Sequence, residues 1–159
     1  MPLFVFNDWL IHDLSGEHGE QAQEQAKRLL RTVKERGDQL AFMDGSSWAK
    51  KTNDLMKKSQ PLQREASIFL RNVILQDSNI TVKIRLEQVA PLPQPLADAL
   101  EVDAVHRKDK YLFQTYFTAN ADALITVDDK LILKVRAVEN SGVTILHKDE
   151  FLREYLQSR

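Results

Sequence analysis

The sequence lacks cysteine entirely, which excludes disulfides, thiolate metal ligands and a cysteine nucleophile. Glycine and proline are scarce, with five of each among 159 residues, which excludes collagen-like and low-complexity chains. No apolar run approaches the ~20 residues that a membrane helix requires. The first residues, MPLFVFNDWL, have no basic leader and no small-residue cleavage site. We therefore expect a cytoplasmic protein with no membrane segment.

Charge of one sign is not in excess either, because 22 Lys and Arg face 23 Asp and Glu, for a net charge of −1. Proteins that coat nucleic acid non-specifically are usually basic, so this role is disfavoured. The composition, 43% hydrophobic and 28% charged, is that of a globular domain. A chain of this length buries one core without additional cross-links. We expect a single domain over residues 1–159.

Short apolar segments alternate with amphipathic ones along the chain. The predicted strands are residues 3–6, 40–43, 81–86, 123–126 and 143–146. The predicted helices cover residues 22–36, 46–59, 61–74, 109–119, 131–138 and 151–156. Such alternation implies an α/β fold, a three-layer α/β/α arrangement with a central parallel sheet. The segment 81–86 alternates apolar with basic residues, which places it near the sheet edge.

Acidic residues recur where the predicted strands end. Asp8, Asp44 and Asp128 each follow a strand, and Asp109 opens the helix that leads into the strand 123–126. Because sites in open parallel sheets form beyond the carboxyl ends of the strands, we expect these carboxylates on one rim. They would repel one another unless a cation lay among them, and Mg²⁺ or Mn²⁺ prefers such oxygen ligands. Taken singly, each aspartate is more typical of a turn or a helix cap than of a metal site.

The segment KDKYLFQTYFTANADALITVDDKLI, residues 108–132, resembles the motif of PIN domains, the nuclease fold of VapC-type toxins and related ribonucleases. That family has two aspartates about twenty residues apart, and here Asp109 and Asp128 are 19 apart. Ala121, Asp122, Thr126 and Leu131 also match the motif. The final ILHKDEFLREYL resembles the last strand and helix of the family. The motif-specific likeness covers about residues 103–133.

The resemblance implies a PIN-like, metal-dependent endoribonuclease that hydrolyses RNA phosphodiester bonds, such as the toxin of a toxin–antitoxin system. Asp8 corresponds to the first family aspartate, although the family continues Asp-Thr/Ser-Asn/Ser and this chain has Trp9 and Leu10 there. Asp8, Asp109 and Asp128 would bind Mg²⁺ or Mn²⁺. Thr126 and Asp129 would support these ligands.

The family usually carries a second acid, a glutamate on the helix after the second strand, and here that place holds Lys50 or Lys51. Asp44, Asp54 or Glu65 would have to replace it. We choose Asp44 as the fourth catalytic acid because it directly follows a strand.

The lysines have two interpretations. Lys50, Lys51 and Arg107 would hold the substrate phosphate of an active nuclease. Alternatively, the lysine marks a degenerate PIN-like domain that has lost catalysis and binds RNA or a protein partner.

Further expectations concern partners and individual side chains. The partners would be an RNA substrate, an antitoxin or other protein, and a second copy of the chain, because the apolar stripe over residues 62–74 suits a core or a dimer surface. Trp9 and Trp48 are predicted to pack in the core. His12 and His147 are predicted to be surface or capping residues, and the run 106–108 to face nucleic acid.

Overall fold

The computed structural model describes residues 2–57, 61–102 and 104–157. Within these residues five parallel strands form one sheet in the order β3-β2-β1-β4-β5. The strands are β1 (Leu3–Phe6), β2 (Gln39–Met43), β3 (Thr81–Ile84), β4 (Ala123–Thr126) and β5 (Ile145–His147). The predicted α/β fold with a central parallel sheet is confirmed, and β3 lies at an edge as expected.

The helices separate the strands and cover the sheet. They are α1 (Trp9–Leu14), α2 (Glu20–Arg36), α3 (Ser47–Met56), α4 (Pro61–Phe69), α5 (Gln94–Glu101), α6 (Ala104–Arg107), α7 (Lys110–Ala119), α8 (Asp129–Arg136) and α9 (Lys148–Tyr155). A π-helical segment, Leu70–Leu75, continues α4, and a 3₁₀ turn covers Leu86–Gln88. Across the described ranges, no helix combines the length and apolar character needed to cross a membrane.

The ends of several helices follow local sequence rules. Helix α4 begins at Pro61, whose missing N–H costs nothing in a first turn. Helix α2 ends at Gly37, which adopts a φ of 71° that favours glycine. The helix predicted over residues 46–59 ends at Met56, and its residues 58 and 59 lie outside the described part of the chain. The side chains of residues 62, 73 and 74, in the predicted apolar stripe over residues 62–74, also lie outside the described part of the chain.

The core has two layers because side chains alternate along the central strand. Phe4 and Phe6 face the layer formed with α1, α2 and α9, whereas Leu3 and Val5 face the layer formed with α5, α7 and α8. All four side chains are buried, as expected for the middle strand of a parallel sheet covered on both faces. Trp9 and Trp48 are buried in the first layer, as predicted.

Three helices were not predicted from the sequence. They are α1, α5 and the short α6. Pro95 lies in the first turn of α5, where a proline is tolerated. Leu96 and Leu100 are fully buried one helical turn apart, so burial of these two side chains stabilises α5.

A buried ion cluster fixes the position of α1 relative to α9. The Asp13 carboxylate, 2% exposed, lies 2.6 Å from Lys148 Nζ and 2.6 Å from His18 Nδ1. Lys148 Nζ also lies 5.2 Å from the centre of the Trp9 ring. Because a buried carboxylate is costly without such partners, this cluster strongly constrains α1. Asp8, which directly precedes α1, is thereby held at the end of β1.

Candidate active site

The strand order creates a crevice at the carboxyl ends of β1 and β4. From β1 the chain proceeds to β2 and β3 on one side, and then returns to β4 on the other side of β1. Ligand sites of open parallel sheets form at such a reversal of strand order. Asp8 lies two residues beyond β1 and Asp128 two residues beyond β4. Both predicted aspartates therefore lie at this crevice, with side chains 31% and 32% exposed.

A buried hydrogen-bond network joins the two strand ends. The Asp8 backbone N–H donates to Asn7 Oδ1 over 2.8 Å, and Asn7 Nδ2 donates to Thr126 Oγ1 over 3.1 Å. The Asp128 backbone N–H donates to the same hydroxyl oxygen over 3.2 Å. Asn7 and Thr126 are both buried, so these bonds replace lost water contacts. The network sets where the backbones of both aspartates lie.

Replacing Thr126 with valine tests the network. The substitution keeps the shape of the side chain but leaves the Asn7 amide and the Asp128 N–H without their acceptor. We expect the free energy of unfolding to fall by about 1–3 kcal/mol, measured by urea denaturation. Thr126→Ser, which keeps the hydroxyl, is the control and should cost clearly less. A Thr126→Val variant as stable as the natural protein would contradict the role of the hydroxyl.

Asp109 provides a third carboxylate at this crevice. It precedes α7 and is partly buried, and its side chain makes no capping hydrogen bond. The pKa of Asp109 is raised from 3.8 to about 6, first by burial and then by the negative charges of Asp128 and Asp8, while His106 and Lys108 oppose the rise. Because the charges of both other carboxylates affect the pKa of Asp109, the three aspartates form one electrostatic site. We refer to Asp8, Asp109 and Asp128 as the aspartate cluster.

Tyr111, on α7, also belongs to this environment. Burial raises the pKa of its phenol, and the charges of Asp8 and Asp109 raise it further, against the opposing effect of a backbone hydrogen bond with Trp48. The phenol therefore stays protonated and able to donate a hydrogen bond near the aspartate cluster. Sequence reasoning missed Tyr111, although its place two residues after Asp109 was a usable signal.

Lys51 and His12 flank the cluster on the Asp8 side. Lys51 Nζ donates a hydrogen bond to Asp8 Oδ2 and lies 3.4 Å from His12 Nε2. His12 Nε2 lies 3.6 Å from Asp8 Oδ2, and His12 Nδ1 lies 2.6 Å from Glu17 Oε2. His12 was expected at the surface with no part in the site. Its position four residues after Asp8 places it on the same helix face, but only once α1 is known.

His106 flanks the cluster on the opposite side. This buried residue has Nε2 3.4 Å from Asp128 Oδ2. The other Asp128 oxygen, Oδ1, accepts a hydrogen bond from the Leu131 N–H over 3.0 Å and so caps α8. Sequence reasoning assigned His106 to a basic run that faces nucleic acid, whereas its ring is buried against the aspartate cluster.

The three candidates for the second family acid have other partners. The exposed Asp44 carboxylate lies 3.8 Å from Lys83 Nζ on the neighbouring edge strand. Glu65 lies 2.9 Å from Lys27 Nζ, which ties α4 to α2. Asp54 is exposed and lines a cavity of about 210 Å³ beside Lys51. The contacts of Asp44 therefore do not connect it with the aspartate cluster.

The remaining predicted residues lie on the outside. Lys50, next to Lys51 on α3, is exposed, and so is Arg107 at the end of α6. Asp129 is 82% exposed and lies 3.9 Å from His147 Nε2, away from the contacts of Asp128. The exposed side chains of Lys50 and Arg107 are accessible to a backbone phosphate. Among the contacts described, Asp129 has none with the aspartate cluster.

The donors of the aspartate cluster fit a hard divalent cation in their chemistry. Carboxylate oxygens are the ligands of Mg²⁺ and Mn²⁺, and a cation would reverse the repulsion that raises the Asp109 pKa. The positions of the side chains do not yet form such a site. The described residues contain no group of three His, Asp or Glu side chains close enough to share an ion. Lys51 and His106 are the present partners of Asp8 and Asp128.

The chain was compared with known proteins at the levels of family, sequence and structure. No protein-family model, no curated protein and no solved structure matches it. The likeness to PIN domains therefore depends on the motif over residues 103–133, of which residue 103 lies outside the described part of the chain.

Proposed function

We propose that this protein is a Mg²⁺- or Mn²⁺-dependent nuclease of the PIN type, an endoribonuclease that hydrolyses RNA phosphodiester bonds. The observation behind the proposal is the aspartate cluster itself: three partly buried carboxylates at the β1–β4 crevice, of which Asp128 and Asp8 add to the burial that raises the pKa of Asp109. The cluster consists of residues that match the PIN motif, which supports the family assignment. A cytoplasmic location, a homodimer and an antitoxin partner belong to the same proposal.

Each residue of the site has a defined task under this proposal. Asp8, Asp109 and Asp128 would hold the ion, and the ion would supply activation of water and neutralisation of charge on the leaving oxygen. Asn7 and Thr126 keep the strand ends at a fixed separation through their hydrogen bonds. Fixed ligand positions matter because a ligand that must reorient lowers metal affinity.

The substrate would be held by groups outside the cluster. Lys50 and Arg107 are exposed and would attract backbone phosphates, an interaction that weakens with salt. Tyr111, protonated at neutral pH, would donate a hydrogen bond to a phosphate or sugar oxygen. Near-neutral net charge restricts this attraction to a local surface.

The direct test is cleavage of labelled single-stranded RNA by the purified protein with Mn²⁺, with Mg²⁺ and with EDTA. We expect cleavage with either metal, none with EDTA, and none with Asp109→Asn or Asp128→Asn. Folded protein that cleaves no RNA under any of these conditions would contradict the proposal. Cleavage that persists in EDTA would contradict the role of the metal.

A second candidate function is RNA or protein binding by a degenerate PIN-like domain. The observation that favours it is the ion pair between Lys51 and Asp8, at the place where the family has a glutamate. Under this alternative the protein binds single-stranded RNA without cutting it, and neither EDTA nor Asp109→Asn changes the affinity.

A further inference from the structure

Lys51 occupies a defined position at the aspartate cluster and does not belong to a generally basic helix face. Helix α3 is fixed at its start, where Ser46 Oγ accepts a hydrogen bond from the Ala49 N–H over 3.2 Å. The buried Trp48 anchors the same turn to the core, stacked on Phe42. The next turn then directs Lys51 at Asp8.

The other lysines near Lys51 on α3 differ from it in exposure and in their contacts. Lys50 and Lys57 are exposed, whereas the Lys51 side chain is 36% exposed and in contact with Asp8 and His12. The ammonium group of Lys51 is therefore the cation that α3 contributes to the crevice.

The charges at the crevice explain why a cation is needed there. Asp8, Asp109 and Asp128 are three partly buried acidic side chains at this one edge of the sheet. A lysine ammonium in contact with Asp8 cancels one of these negative charges, which a bound metal ion would otherwise have to do. An ammonium group has three donors: one bonds Asp8 Oδ2 and a second faces His12 Nε2 over 3.4 Å, so the contacts described leave a third for a phosphate oxygen.

We propose that Lys51 is a built-in cation that replaces a metal ion on the Asp8 side of the cluster and binds an RNA phosphate there. This inference rests on the proposed nuclease function. While Lys51 neutralises Asp8, the ion that the three aspartates would hold is bound mainly through Asp109 and Asp128. Lysine suits this task because its ammonium is a compact point charge that binds phosphate without demanding a particular geometry.

The first consequence concerns metal affinity. Lys51→Gln removes a positive charge and frees the Asp8 carboxylate, so Mn²⁺ should bind more tightly by about tenfold or more. Isothermal titration of the metal-free protein with Mn²⁺ measures this change. Lys57→Gln, the same substitution at an exposed position at the end of α3, is the matched control and should leave the affinity unchanged.

The second consequence concerns RNA. In EDTA, where no cleavage occurs, Lys51→Gln should weaken binding of labelled single-stranded RNA and lower the salt dependence by about one counterion. Tighter metal binding combined with weaker RNA binding is an outcome that a merely structural role of Lys51 would not produce. Lys51→Met provides a second variant if the glutamine variant does not fold.

A double variant decides whether Asp8 mediates the effect. In Asp8→Asn/Lys51→Gln the gain in Mn²⁺ affinity relative to Asp8→Asn should disappear, since the carboxylate that Lys51 released is absent. The inference is overturned if Lys51→Gln binds Mn²⁺ no more tightly than the natural protein. It is equally overturned if Lys57→Gln gives the same gain, or if RNA binding in EDTA is unchanged.

The nuclease proposal and the Lys51 inference fail in different ways. Failure of the natural protein to cleave RNA counts against the nuclease, whereas the Mn²⁺ and RNA comparisons between variants need no cleavage. A rise in Mn²⁺ affinity and a loss of RNA affinity in Lys51→Gln would support the inference even then.

Discussion

Asp109→Asn is expected to abolish RNA cleavage and at the same time to stabilise the metal-free protein at neutral pH. The ionised Asp109 carboxylate is partly buried in the field of Asp128 and Asp8, which is unfavourable without a cation. An uncharged amide of the same shape removes this cost. It also removes a proposed metal ligand, so cleavage should fall by at least about a hundredfold.

The stability effect has a definite pH dependence. The folded-state pKa of Asp109 is raised from 3.8 to about 6, so the folded protein holds this proton more tightly than the unfolded chain does. The resulting stabilisation is fully present below about pH 4, and it is lost as the pH rises through about 6. Above that pH the natural protein should be less stable than Asp109→Asn by about 1–2 kcal/mol, after discounting for partial solvent exposure.

Urea unfolding of both proteins at pH 4 and pH 7.5 measures this difference. The gain from Asp109→Asn should be present at pH 7.5 and should shrink or vanish at pH 4. Asp98→Asn is the matched control, because Asp98 is exposed on α5 and an asparagine there can still accept its hydrogen bond from Gln94. A variant that is less stable than the natural protein at pH 7.5 would contradict the electrostatic account of Asp109.

Asp128 should show two separable roles when asparagine and alanine replacements are compared. Asparagine retains a side-chain oxygen that can accept from the Leu131 N–H, so Asp128→Asn should keep the α8 cap. Asp128→Ala loses the cap and should lower the free energy of unfolding by about 1 kcal/mol relative to Asp128→Asn. Both variants lack the carboxylate and should lose cleavage by at least about a hundredfold.

Activity and stability measured on the same samples distinguish these roles. Residual cleavage in proportion to the folded fraction of each variant would mean that Asp128 acts only as a helix cap. Cleavage by Asp128→Asn at the natural rate would remove Asp128 from the proposed ligand set.

The sequence predicted the sheet well but did not predict three of the helices, α1, α5 and α6. Strands β1, β2 and β4 each have a short apolar run bounded by polar residues, and β3 alternates apolar with polar residues. Both are local signals that need no tertiary information. Helix α1 is only six residues long, with Trp9, Leu10, Ile11 and Leu14 all buried, and so has no polar stripe to define a period. In α5 the flanking prolines obscured the i, i+4 pair of Leu96 and Leu100.

The aspartate cluster was predictable and its basic partners were not. The strand ends and the 19-residue spacing predicted that Asp8, Asp109 and Asp128 lie at one edge of the sheet, because parallel strands share one carboxyl edge. The contact between Lys51 and Asp8 joins residues 43 positions apart, and no pattern in the chain indicates it. Burial of His106 likewise depends on how α6 packs, which a short basic run conceals.

The measurement that tests the central claim most directly locates the bound ion by nuclear magnetic resonance of the ¹⁵N-labelled protein. Sub-stoichiometric Mn²⁺ broadens the signals of nearby amides. We predict broadening centred on residues 7–9, 109–111 and 127–129, and its loss in Asp109→Asn. Broadening centred elsewhere, such as at Asp149 and Glu150 in the first turn of α9, or broadening unchanged in Asp109→Asn, would contradict a metal site at the β1–β4 crevice.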